Sequence, residues 1–345
     1  MKVAIDIGPI KTGHRVRGIG AYTQNLTEEL QKHKNQLQLD FFENSKSPPP
    51  ADIIHYPYFD LFFHSLPVKS RTKRVVTIHD VIPLVFPKYF PAGVKGYLSF
   101  FFQKMVLKNV DAVICDSKNS KNDIRSKLSY PTEKIHVIYL APGANFRQIS
   151  DKKLLSAVAR KYKLPKTFIL YVGDVNWNKN ISNLLKAVKL VRVNLVMVGS
   201  ALVDKNLVQT QEIDKLIRKL DISGQITRTG YVNKEELIAI YNLAQCSVLP
   251  SFYEGFGLPV LEAMACGTPV VCSDRGSLKE IAGPAVICQP EDPDDIAVKI
   301  ISILNLSNNA RESLRHRSQK YAANFTWQKV ASETIGVYKN VIGKN

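Results

Sequence analysis

The sequence predicts two doubly wound α/β domains, and three observations carry that expectation. Short β-branched runs alternate with helical patterns along the chain. The 345 residues exceed what one ordinary hydrophobic core organises. Ala141-Pro142-Gly143 interrupts the alternation and separates two series, as an interdomain hinge does. Apolar residues make up 45% of the chain, enough to fill two cores.

The first series opens with VAIDI (3–7). A loop rich in glycine and basic residues follows over 8–20, and its end, Arg17-Gly18-Ile19-Gly20, starts a helix with Tyr22, Leu26 and Leu30 on one face. Strand, glycine loop and helix make the phosphate-side geometry of a doubly wound domain, though the spacing is not that of a dinucleotide fingerprint. LQLDFF (37–42), IIHY (53–56), RVVTI (74–78), DAVIC (111–115) and KIHVIYL (134–140) supply the remaining strands, with a proline loop at 48–50. His79 and Asp80 follow the fourth strand, at the strand end where such sheets meet ligands. A histidine capping a strand end is the plainer reading of that position.

The second series holds FILYVG (168–173), NLVMVG (194–199), QITRTG (225–230), CSVLP (246–250), TPVVC (268–272) and PAVIC (284–288), most followed by a helical pattern. A terminal helix is expected over 326–341, with Thr326 as its cap and Trp327 just inside.

The most informative stretch is LPSFYEGFGLPVLEAMACGTPVV (249–271). It reads as a buried strand, a loop with Glu254, Gly255 and Gly257, and a helix that Pro259 opens, proline having the right φ and no N–H to waste there. Glu262 falls on that helix, and Gly267 ends it. Two carboxylates thus flank a helix N-terminus whose N–H groups, around Leu258 and Val260, carry partial positive charge. Such a site suits a ligand with both phosphate and polyol groups, as a nucleotide sugar has. The plainer alternative is a glycine-rich turn with solvated glutamates.

Glu254 and Glu262, with GFGLP between them and EAMACGTPVV after, resemble the signature of the family 4 retaining glycosyltransferases, which have the GT-B fold of two Rossmann-like domains facing each other across a cleft. TIHDVIP (77–83) and YVGDVNWNKN (171–180) resemble further segments of that family. The resemblance implies a first domain over 1–144 on the acceptor side, a donor domain over 145–325, and a C-terminal helix (326–345) that crosses back onto the first. It implies that Glu254 holds sugar hydroxyls, Glu262 the nucleotide ribose, and Gly255, Phe256, Gly257, Leu258 and Val260 the diphosphate. Gly18 and Gly20 match the glycines that let backbone approach the donor phosphate, His79 the histidine near sugar and acceptor, and Lys179 the lysine on the pyrophosphate. Many members carry an arginine just before that lysine or directly after the glycine, where this chain has Asn178 and Asp174. Arg15 or Arg17 is a candidate for the missing cation.

The expected reaction is transfer of a hexose from a nucleoside-diphosphate sugar to a glycan or lipid-linked hydroxyl with retention, His79, Lys179 and Glu254 being the catalytic candidates. No cofactor or metal is expected. Asp292-Pro293-Asp294 has the form of a metal-binding pair, but it precedes the helical IAVKIISIL, where acids cap. Another GT-B activity, an epimerase or a phosphorylase, is the enzymatic alternative, since fold does not fix chemistry.

Charge is the other notable feature: 47 Lys and Arg against 30 Asp and Glu give +17. Such a field attracts nucleic acid, anionic membranes or anionic substrates; a basic nucleic-acid-binding protein is the lesser alternative, and because no nucleic-acid motif accompanies the charge no nucleic-acid partner is expected. The segment 86–108, with Phe90, Tyr97, Phe100, Phe101, Phe102, Lys95, Lys104 and Lys108, reads equally as core with a solvated rim or as an anionic-membrane patch joined by Lys69, Arg71, Lys73 and Arg74. The five cysteines lie in or beside apolar segments without metal-ligand spacing, which predicts buried thiols. With no signal peptide or spanning run apparent, a cytoplasmic protein, peripheral on a membrane's inner face at most, is expected.

Overall fold

The computed structural model describes residues 1–11, 18–43, 48–68 and 70–343. The chain divides into two compact units, Met1–Ala141 with Thr326–Asn345, and Pro142–Phe325. Each unit is built on one parallel six-stranded sheet. Every strand segment expected from the sequence forms: most are shortened, β1 and β4 are shifted one residue toward the N-terminus, and 53–56 is unchanged.

In the first unit β1 (Lys2–Asp6), β2 (Gln38–Phe42), β3 (Ile53–Tyr56), β4 (Lys73–Thr77), β5 (Ala112–Cys115) and β6 (Ile135–Val137) stand in the order β2-β1-β3-β4-β5-β6. β3 and β5 are buried along their length, as a sheet covered on both faces requires. The chain winds one way from β1 and the other way from β3, so the switch point lies between these two strands. Tyr22, Leu26 and Leu30 are the buried stripe of the helix Gly18–Leu30.

The terminal helix Trp327–Ile342 belongs to this unit and packs against Gly18–Leu30. Thr326 caps it by accepting the Lys329 amide at 3.2 Å. Its Tyr338 hydroxyl lies 2.6 Å from His55 Nδ1 on β3. His55 Nε2 in turn meets Thr77 Oγ1 at 2.9 Å, and the same oxygen meets Tyr22 Oη at 3.0 Å. Burial lowers the His55 pKa to about 3, which keeps this ring neutral. A continuous buried polar chain thus joins the terminal helix, two strands and the first long helix.

In the second unit β7 (Ile169–Val172), β8 (Leu195–Val198), β9 (Ile226–Gly230), β10 (Cys246–Leu249), β11 (Val270–Cys272) and β12 (Val286–Ile287) stand in the order β12-β11-β10-β7-β8-β9. The switch point here lies between β7 and β10. Asp292 caps the helix Pro293–Leu304 by accepting the Asp294 amide, the capping role expected for it. All five cysteines are free and buried.

The basic segment before and within β4 differs from expectation. Arg74 is 2% exposed, because strand alternation turns it inward, where the carbonyls of Pro67 and Asn109 accept from its guanidinium at 2.7 and 2.9 Å. Lys73 is paired with Asp111 at 3.4 Å, and Lys69 lies outside the described residues. Of the basic positions read from the sequence, Arg74 is thus withdrawn from solvent, whereas Arg71 is exposed. Of the three consecutive phenylalanines, Phe100 and Phe102 pack on the core and Phe101 faces solvent.

Candidate functional site

The second unit gathers its polar side chains at the carboxyl ends of β7 and β10, on the two sides of its switch point. After β7 the chain turns through Trp177–Lys179, and after β10 through the loop 250–257. Asn178 ties the two loops together: its side-chain amide donates to Tyr253 O at 2.9 Å, and its carbonyl accepts the Phe252 amide at 2.8 Å. Trp177 stacks on Phe252 with ring centroids 5.0 Å apart. Asn178 thus cross-links the loops. Asp174 accepts the Val175 amide at 2.7 Å. Arg15 and Arg17 lie outside the described residues.

Across these loops Lys179 Nζ lies 2.8 Å from both carboxylate oxygens of Glu254. The Ser251 hydroxyl donates to Glu254 Oε1 at 2.7 Å. The two side chains are 19% and 7% exposed, so the pair is largely withdrawn from water. Such a pair gains little net stability after desolvation, and breaking it costs about 3–5 kcal/mol. A third loop, after β11, supports Glu254 from below. The Ser277 hydroxyl lies 2.9 Å from the carbonyls of both Glu254 and Phe256, and the Ser277 amide donates to Glu254 O at 3.2 Å. Gly276 in this loop has φ +60°, and a Cβ there would fall 2.8 Å from Glu254 O, so backbone approach this close needs glycine.

The helix expected to open at Pro259 runs over Leu258–Ala265, with Gly257 at its N-cap and Gly267 just past its end, both at positive φ. The anion site read there is narrower than expected. The left-handed Gly257 presents its carbonyl to the Val260 amide at 3.0 Å, and Pro259 has no N–H, so among the described residues Leu258 is the amide of that group left without such a bond. Gly255, Phe256 and Gly257 are buried in the turn.

Glu262, half-buried on the same helix, meets Tyr241 Oη at 3.1 Å. Burial raises its carboxyl pKa to about 7; the tyrosine hydrogen bond and the more distant Lys234 charge pull the other way without cancelling it. This group therefore changes charge near neutral pH.

The first unit has its own constellation. His79, beyond β4, places Nδ1 2.7 Å from Asp116 Oδ2 beyond β5 and Nε2 3.2 Å from Pro57 O beyond β3. With Asp116 ionised both partners are acceptors, an arrangement that favours the protonated ring. Burial alone would lower the His79 pKa, but the charge and hydrogen bond of Asp116 outweigh it and raise the value. The Tyr22 ring packs edge-on against the imidazole at 4.7 Å. Among the described residues the second Asp116 oxygen is buried without a hydrogen-bond partner. Gly18 is exposed at the first turn of its helix and Gly20 buried one step on.

Asp116, Ser251, Ser277 and Tyr241 were not picked out from the sequence. Asp116 had a signal, an acid immediately after a buried strand, just as His79 follows soon after another. The serines and the tyrosine had none, because their partners are set by loops meeting across the sheet.

Two family models match the chain: "Glycosyl transferases group 1" over residues 157–325, and "Glycosyltransferase Family 4" over residues 35–141. The O-antigen chain mannosyltransferase B of Escherichia coli is 32% identical over 296 residues, which cover 82% of this chain and 75% of that protein. The serotype-specific mannosyltransferase WbdA of Escherichia coli is 29% identical over 270 residues, 76% of this chain but only 33% of that longer protein. The crystal structure of Anabaena HepE in complex with UDP-glucose superposes with a TM-score of 0.75 at 15% identity, covering 99% of this chain and all of the other.

Proposed function

Because the chain belongs to glycosyltransferase family 4, the group 1 glycosyl transferases, and has the GT-B fold, we propose that it transfers a hexose from a nucleoside-diphosphate sugar with retention of configuration and without a metal ion. The names of the relatives favour mannose as the hexose. A glycan or lipid-linked glycan is the acceptor, met by a protein held peripherally on the inner face of a membrane. Five buried free thiols agree with a reducing compartment.

The Lys179–Glu254 pair at the switch point carries this reading. A donor entering there offers each partner a substitute: diphosphate oxygens for the ammonium, sugar hydroxyls for the carboxylate. Lys179 and the Leu258 amide then stabilise the charge that grows on the leaving diphosphate as the glycosidic bond breaks. Glu262, when ionised, accepts from the ribose hydroxyls. Gly18 and Gly20 are assigned to close backbone approach to the donor phosphate, and His79, held by Asp116, to positioning the sugar and acceptor. In front-face retention the acceptor oxygen attacks from the side of the departing diphosphate, whose oxygen takes the acceptor proton, so no enzymic nucleophile is required.

The test is a release assay with GDP, UDP and ADP hexoses and a glycan acceptor, with the product anomer assigned by NMR. Nucleoside diphosphate release coupled to formation of the donor's own anomer supports the proposal. An inverted product, or epimerised sugar without transfer, contradicts it and favours another GT-B chemistry.

A further inference from the structure

Soluble helices normally turn their apolar stripe inward, but the helix Gly93–Leu107 also presents one to solvent. Val94, Leu98, Phe101 and Met105 follow the spacing i, i+4, i+7, i+11 of a single face, with Tyr97 beside them. Val94, Leu98 and Phe101 are 79, 70 and 68% exposed, and Tyr97 and Met105 also face solvent. The opposite face is anchored: Gln103, Val106 and Leu107 are buried, and Phe100 and Phe102 pack on the core. Buried Gln103 also holds the neighbouring loop through the carbonyls of Asp60 and Phe63, at 2.9 and 2.6 Å. Phe63 in that loop is 74% exposed and extends the apolar surface. Contiguous apolar exposure of this kind marks an interaction surface.

The charge around it chooses the occupant. Residues 81–110 contain Lys88, Lys95, Lys104 and Lys108 and no aspartate or glutamate. Lys88, Lys95 and Lys108 are exposed, while Lys104 bends back to Lys127 O and Ser129 Oγ. Asp60, the acid of the adjoining loop, is engaged by the amides of Phe62 and Phe63 and by the Tyr58 hydroxyl. A two-fold contact between copies of this chain would bring a lysine-bearing face against itself without an acid to meet it. Lipid headgroups supply both the anions and the apolar depth. The helix has 15 residues, and among the described residues no helix is long and apolar enough to cross a membrane. It suits the plane of the interface, with apolar side chains below the headgroups and lysine stems reaching up to phosphate.

We propose that the exposed face of Gly93–Leu107, formed by Val94, Tyr97, Leu98, Phe101 and Met105 with Phe63 beside it and Lys88, Lys95 and Lys108 around it, docks on an anionic lipid bilayer. It deepens the lipid-linked acceptor reading by naming the surface that meets the lipid. It differs from the patch read from the sequence, in which Arg74 is buried and Phe100 and Phe102 pack partly against the core.

The experiment is co-sedimentation of the full chain with phosphatidylcholine vesicles and with vesicles containing phosphatidylglycerol, at low and high salt. It compares the wild type with Leu98→Ser/Phe101→Ser and with Lys95→Gln/Lys108→Gln; all four side chains are exposed, so neither variant disturbs the core. Binding to the anionic vesicles, weakened by salt and reduced about tenfold or more in each variant, supports the proposal. Equal binding to both vesicles, no binding by the wild type, or binding unchanged in the variants overturns it. Self-association in sedimentation velocity that the serine variant abolishes, without lipid binding, overturns it in favour of a second copy as occupant. Release of nucleoside diphosphate with a soluble acceptor is read in parallel. Its persistence in the variants separates a failed docking surface from a failed glycosyltransferase assignment.

Discussion

Lys179 and Glu254 stand 75 residues apart in sequence and meet with Nζ 2.8 Å from both carboxylate oxygens, in the loops that follow the two strands flanking a topological switch point. Removing either partner leaves a buried charge uncompensated. Lys179→Met and Glu254→Gln are each expected to lower stability by about 3 kcal/mol, with the double variant recovering part of that loss. Denaturant titration of the three variants checks this. Additive losses would mean that the two groups do not depend on each other.

Glu262 has a carboxyl raised by burial to about 7, above its ordinary value near 4.5. The folded state therefore holds a proton that the unfolded state has already lost between those values. Stability falls as pH rises through that window, and the loss is complete above about pH 7. Glu262→Gln removes the penalty and is expected to raise the melting temperature at pH 8 while changing little at pH 4. Donor affinity in the wild type should improve as pH passes through about 7, and that dependence should vanish in the variant.

Asp116 raises the His79 pKa against burial, which alone would lower it. Asp116→Asn leaves burial to dominate, so the His79 titration followed by NMR is expected to move below the ordinary value of about 6.5. Its stabilising contribution, present at low pH and lost as pH rises through the folded value, should then disappear. A titration at the wild-type position would remove Asp116 from the account of this histidine.

Much of this was legible in the sequence because parallel strands buried on both faces leave short runs without charged residues, such as AVIC before Asp116 and CSVL before Pro250. The helix after Gly257 was legible for a local reason, a proline in its first turn and glycine at each end. What the sequence hid is set by contacts between distant loops. Nothing local to Asn178 says that its amide reaches Tyr253, or that Ser277 lies beneath Glu254. The Val260 amide looked available because a helix start normally leaves it open, and only the left-handed Gly257 turns a carbonyl onto it. Arg74 looked exposed by composition, and strand alternation buried it.

The proposed metal independence rests on Lys179 and the Leu258 amide neutralising the diphosphate. Turnover is expected to survive dialysis against EDTA. Complete loss, restored by Mg²⁺ or Mn²⁺, would return the carboxylates of the second unit to consideration as ligands.

The most direct test is single-turnover kinetics with saturating nucleoside-diphosphate hexose and a glycan acceptor, comparing the wild type with Lys179→Met and Glu254→Gln under conditions where each remains folded. Loss of one group that stabilises the leaving diphosphate or orients the sugar is expected to slow the transfer step by about a hundredfold or more, with donor binding weakened far less. Wild-type transfer rates in both variants would contradict the assignment of the reaction to this pair.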